Sequence, residues 1–145
     1  TQQMLKNSAK EFLEQECPPA LVRQMEEDTR GHPEQLWTQM AALGWTGLAF
    51  PETYGGTGGA FMDLAVLLEE MGRALVPGPF FSTVVLGGLS VLDAGTDDQK
   101  KDYLTRICDG RTTLTCSTYF SMARESSVNS NNVVLKALSR KTMVE

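Results

Sequence analysis

Apolar positions in the first 110 residues recur at helical spacing, and glycines and prolines cut the pattern into blocks. Met4, Leu5, Ala9, Phe12 and Leu13 share one helical face, and Pro18-Pro19 end that segment. A short acidic helix carrying Leu21, Val22 and Met25 follows and stops at Gly31. Pro33 suits the first position of a third helix with the stripe Leu36, Trp37, Met40 and Leu43, and Gly44 is a natural terminating glycine. The fourth helix, near Asp63 to Leu75, sets Leu64, Leu67, Leu68, Met71 and Leu75 on one face. Glu69 and Arg73 stand one turn apart on its surface, where a weak pair is expected. The adjacent Glu69 and Glu70 diverge by about 100° and cannot share one substrate atom, so one is expected to face solvent and the other a cation. Pro77-Gly78-Pro79 break the chain. Phe80 to Leu92 is then apolar nearly all round and reads as the most buried helix, ended by Gly95.

Thr96 and Gln99 form a capping-box pattern that opens the last helix, with the stripe Tyr103, Leu104, Ile107 and Cys108. Asp109-Gly110 turn the chain, and the β-branched run 111–116 reads as an incipient strand. The expected fold is therefore mostly α: an up-and-down bundle of five or six helices, a short strand start near 112–118, and an irregular tail. Beyond Tyr119 the sequence turns polar through Ser126 to Asn132, with a short helix expected near Val133 to Leu138. No internal repeat is visible.

A length of 145 residues points to one domain that can bury a core without disulfide staples. Thirteen basic residues against eighteen acidic ones give a net charge of −5, which disfavours a nucleic-acid partner. Lys100-Lys101 sit among Asp97, Asp98 and Asp102 and read as a solvated helix face. Cys17, Cys108 and Cys116 have no ligand spacing, so buried thiols and no metal site are expected. His32, the single histidine, precedes Pro33 and reads as a loop or capping residue. The apolar run from Val84 to Leu92 is too short and too glycine-interrupted to span a bilayer.

Six glycines fall between residues 44 and 59. Gly55, Gly56, Gly58 and Gly59 fit neither phosphate-binding spacing, and Asp63 just beyond them would oppose a bound anion. The expected role is a connector against which other groups pack closely. Ser82 and Thr83, inside the apolar fifth helix, have two readings: hydroxyls bonded back to a carbonyl one turn earlier, or the lining of an apolar ligand cavity.

Four segments taken together carry a family resemblance. They are Leu43-Gly44-Trp45-Thr46-Gly47-Leu48, Phe50-Pro51-Glu52-Thr53-Tyr54-Gly55-Gly56, Leu68-Glu69-Glu70-Met71-Gly72-Arg73 and Gly95-Thr96-Asp97-Asp98-Gln99 with the Lys100 to Leu104 helix behind it. In order and spacing they resemble the N-terminal helical domain of the acyl-CoA dehydrogenases over residues 1–114. The resemblance implies an oxidoreductase that removes an α-proton and a β-hydride from an acyl-CoA thioester, passing the hydride to FAD. It also implies a homo- or hetero-oligomer, an electron-transfer flavoprotein as partner, and a bacterial cytoplasm or mitochondrial matrix as location. By matching positions it places Ser82 and Leu86 against the acyl tail, with Pro79, Thr83 and Gly87 as neighbours.

Residues 115–145 depart from the family pattern and read as a divergent or truncated tail. The flavin-contact segment is replaced by Cys116-Ser117-Thr118-Tyr119-Phe120-Ser121-Met122, and no cofactor-binding or catalytic residue is assigned in this chain. The chain by itself is expected to be inactive. The alternatives are a non-catalytic helical binding module and a partner subunit of a flavoprotein complex.

Overall fold

The computed structural model describes residues 2–114. The expected tail, its helix at 133–138, Cys116 and residues 115–118 of the expected strand lie outside the described residues. Residues 111–114 belong to neither helix nor strand.

Six helical segments follow one another: α1 (Gln2–Glu16), α2 (Pro19–Glu27), α3 (Glu34–Ala42) and α4 (Phe61–Arg73), then two composite ones. In α5, a π-helical stretch Phe81–Gly88 runs straight into the α-helix Leu89–Ala94. In α6, Asp97–Gln99 and Thr105–Cys108 are α-helical and flank the π-helical Lys100–Leu104. Two 3₁₀ turns, Trp45–Gly47 and Glu52–Tyr54, punctuate the long connection from α3 to α4.

The stops fall where the sequence places them. Pro18 precedes α2, and Gly44 adopts φ 76° just past α3. Thr96 Oγ1 accepts the Gln99 N–H at 3.3 Å while Gln99 Oε1 accepts the Thr96 N–H at 2.9 Å, so both orphan donors at the start of α6 are satisfied. At α4 only half of such a box exists: the Asp63 carboxylate accepts the Ala60 N–H at 3.0 Å.

The core joins Ala9, Leu13 and Cys17 of α1 to Leu36, Trp37 and Met40 of α3, Leu64, Leu67 and Met71 of α4, and Leu104 and Ile107 of α6. Helix α1 lies along α4. Trp37 packs edge-on against Phe80 and donates its indole N–H to the Gly110 carbonyl at 2.8 Å, tying the end of α6 to α3. Three residues read into apolar stripes are instead exposed. Met4 is 74% exposed at the free first turn of α1, Leu43 caps the end of α3 at 52%, and Leu75 lies beyond α4 at 70%. Periodicity continued each stripe past the last turn that has a neighbour to cover it.

Helix α5 also departs from expectation. It is amphipathic rather than the most buried helix: Phe80, Thr83, Val84, Gly87, Gly88 and Val91 face inward, while Phe81 and Leu86 are exposed. Outward positions are as apolar as inward ones, so composition concealed the two faces.

Leu75 is the one non-glycine residue with positive φ among those described, at 52°. The Val76 N–H bonds the Met71 carbonyl at 3.0 Å and the Leu75 N–H bonds that of Gly72 at 3.2 Å, which is the Schellman closure of α4. A side chain in this left-handed position costs about 1–2 kcal/mol, partly offset by the extra entropy a glycine loses on folding. Leu75→Gly is therefore expected to raise the unfolding free energy by about 0.5–1 kcal/mol, read by urea denaturation.

Candidate functional site

The five residues singled out by resemblance all lie on or just before α5, and the structure divides them between its two faces. Pro79 is half-buried at the helix start, and its carbonyl accepts the Thr83 N–H at 2.8 Å and the Ser82 hydroxyl at 3.0 Å. The local reading of Ser82 thus holds: its donor is turned back onto the chain, leaving the half-buried side chain with no free proton to offer outward.

Thr83 behaves differently. Fully buried, its hydroxyl donates to the Leu114 carbonyl at 3.2 Å and accepts the Leu114 N–H at 3.1 Å. Gly87 continues the same inner face, where an added Cβ would lie 2.7 Å from the Leu114 Cβ. Thr83 and Gly87 therefore seat residue 114, whereas Ser82 and Leu86 point the other way. Thr83→Val keeps the shape but strands both backbone groups of Leu114 in the interior. It is expected to cost about 2 kcal/mol by chemical denaturation, against less than about 0.5 kcal/mol for Ser82→Ala.

The outward face carries Phe81, 53% exposed, and Leu86, 40% exposed, with half-buried Val85 and Leu89 between and beyond them. No ionisable side chain occurs between Arg73 and Asp93. The face is wide, apolar and uncharged, suited to a hydrocarbon and unsuited to phosphate. Its backbone is π-helical, a rare geometry concentrated at functional sites. Phe81 was not reached from the sequence. The signal available was its position one π-turn before Leu86.

The glycine-rich connector serves packing. The amides of Gly56, Thr57, Gly58 and Gly59 bond the carbonyls of Pro51, Gly47, Phe50 and Leu48 at 2.8–3.2 Å. These four connector amides are already engaged and offer a phosphate no free N–H groups. Phe50, wholly buried, is carried by this connector against Gly88 of α5, where an added Cβ would meet its ring.

The remaining reactive groups are structural. Burial, helped by the charge of Asp109, pushes the Cys108 thiol up to about 11, and burial also raises that of Cys17, so neither is a nucleophile near neutral pH. His32 Nδ1 donates to the Arg30 carbonyl at 3.1 Å in the loop before α3. Glu69 and Glu70 part as expected: Glu69 is half-exposed, held below its ordinary carboxylate range by Arg73 and then Lys6, while Glu70 is buried. No helix among the described residues is long and apolar enough to cross a membrane.

Comparison with known proteins gives a consistent picture. The family model described as "Acyl-CoA dehydrogenase, N-terminal domain" matches residues 1–111. Acyl-CoA dehydrogenase IpdE2 of Mycobacterium tuberculosis is 36% identical over 109 residues, covering 74% of this chain and 33% of the relative. Among solved structures, a variant of the Tcur3481-Tcur3483 steroid ACAD superposes with a TM-score of 0.72 at 33% identity, over 79% of this chain and 31% of its own. An acyl-CoA dehydrogenase complexed with FAD from Bacillus anthracis superposes with a TM-score of 0.67 at 27% identity, over 77% of this chain and 19% of its own. The chain spans about a third of the length of the curated relatives it matches.

Proposed function

Because the chain belongs to the acyl-CoA dehydrogenase family, matched over that family's N-terminal domain, we propose that the outward face of α5 is the wall along which the acyl tail of a CoA thioester lies. The observation that carries this reading is the apolar, charge-free surface of Phe81, Ser82 and Leu86. Ser82, with its hydroxyl committed to Pro79, makes no polar demand on a hydrocarbon neighbour. Such a wall excludes water from the reacting carbons and strengthens the electrostatics of proton abstraction by groups outside residues 2–114.

The proposal gives this chain shaping and desolvation, not bond-making. FAD supplies the hydride acceptor where it is bound; the FAD complex of the Bacillus anthracis relative supports its presence in the working assembly. An electron-transfer flavoprotein takes the electrons onward in this proposal. The covering surface belongs to further polypeptide, and the paired name of the Tcur3481-Tcur3483 steroid ACAD supports a second subunit as one source.

The purified 145-residue chain is expected to show no visible flavin absorbance and no acyl-CoA-dependent dye reduction. Flavin that copurifies with it in stoichiometric amount, or turnover by the chain alone, would overturn this assignment of roles.

A further inference from the structure

Along the outward face of α5, Phe81 and Leu86 are exposed and Val85 and Leu89 half-buried, a stripe of hydrocarbon that water solvates at a cost. Reach, pattern and charge point to the same occupant. Both backbone groups of Leu114 are bonded to the Thr83 hydroxyl, at 3.1 and 3.2 Å, so residues 115–145 begin beside the inner side of α5. Eighteen residues separate Leu114 from Val133. Their greatest span is about 60 Å, several times the roughly 10 Å width of a helix.

Within 133–138, Val134, Leu135 and Leu138 share one side of the helix that the sequence predicts there. Lys136, Arg140 and Lys141 place cations around that side. The surface of α5 offers the opposite sign at its end: Asp93 is exposed, and so are Asp97 and Asp98 just beyond it. The same contrast runs through the whole chain. Residues 1–114 hold sixteen acidic and nine basic side chains, whereas 115–145 hold two and four.

We propose that residues 133–138 dock across the outward face of α5 of the same chain. Val134, Leu135 and Leu138 lie against Phe81, Val85 and Leu86, with the cations toward Asp93 and Asp97. An occupant tethered in this way acts at an effective concentration in the millimolar range, which favours it over a second copy of the chain in dilute solution. The contact stands without the acyl-wall assignment. Its regulatory consequence rests on that assignment, because an acyl tail must displace the segment to reach Phe81, Ser82 and Leu86.

The test compares two-dimensional ¹⁵N NMR spectra of the full 145-residue chain with those of a Leu135→Asp/Leu138→Asp variant and of Phe81→Ser. The double variant should shift the amides of Phe81, Val85, Leu86 and Leu89, and Phe81→Ser should in turn shift those of residues 133–138. Loss of either half of this reciprocity overturns the proposal, as do shifts in the double variant centred on any other helix. Dilution of the wild-type chain should leave the α5 amides in place. Movement on dilution identifies a second copy as the occupant and overturns the proposal. Octanoyl-CoA should bind the double variant more tightly than the wild type; equal affinity, with α5 shifts in both, overturns the competition. Reciprocal shifts together with α5 amides that ignore octanoyl-CoA in both proteins uphold the docked segment and sink the acyl wall alone.

Discussion

Phe50→Ala is expected to lower the unfolding free energy by about 3–5 kcal/mol, the largest loss from any single truncation of this core. Phe50 is wholly buried and sits at the meeting point of the glycine-rich connector and α5. Its ring occupies the space that a side chain at Gly88 would need, so its removal opens a cavity between two elements rather than at the edge of one. The backbone on both sides is fixed: the Phe50 N–H bonds the Gly47 carbonyl at 3.1 Å, and the Phe50 carbonyl accepts Gly58 at 2.9 Å. Collapse into the cavity is therefore limited. Urea denaturation checks the magnitude, and a double-mutant cycle checks the cause. Gly88→Ala alone should destabilise by steric conflict with the ring, whereas in the Phe50→Ala background it should cost much less, with only the Thr83 carbonyl at 3.2 Å still crowding the added Cβ.

Gly56→Ala is the second large effect, about 3 kcal/mol of destabilisation by the same measurement. A Cβ on Gly56 would collide with the Phe50 carbonyl oxygen and lie 2.7 Å from that of Gly47. Both obstacles are backbone atoms. They cannot rotate away, and both already accept amide protons, from Gly58 and from Phe50 and Thr57. Movement would break the bonds that close the connector on itself. Gly58→Ala tests a different physics at a nearby site, since its φ of 67° strains any side chain although the nearest contact is 3.9 Å away. It should cost less than Gly56→Ala.

Both effects show where sequence reading reaches its limit. Helix boundaries were legible because their causes are local: the reciprocal bonds of Thr96 and Gln99, the prolines at 18 and 19, the glycine after α3. The connector's density of glycine announced close packing without naming the groups that approach. Phe50 and Gly88 are distant in sequence, and no periodicity links them. The same holds for Glu70, whose ion-pair partner Lys6 comes from α1, and for Thr83, whose partner is Leu114. In α5 the difficulty was chemical. Phe81 and Leu86 are as hydrophobic as Val84, so only packing reveals which side is covered. That unused hydrophobicity is the most functional statement the helix makes, because a surface of this kind facing water is normally reserved for a ligand or a partner.

The resemblance sets Ser82 and Leu86 against the acyl tail and Pro79, Thr83 and Gly87 beside them. Three-dimensional placement separates Ser82 and Leu86, available on the outside, from Thr83 and Gly87, engaged with Leu114. Pro79 sets the helix start for both groups.

The direct test of the acyl-wall assignment is a two-dimensional ¹⁵N NMR titration of the chain with octanoyl-CoA, with free CoA as the control. Saturable shifts centred on the amides of Phe81, Ser82 and Leu86, seen with the thioester and absent with CoA, are predicted. Tail-dependent shifts confined to other helices, or identical responses to the two ligands, would contradict the assignment.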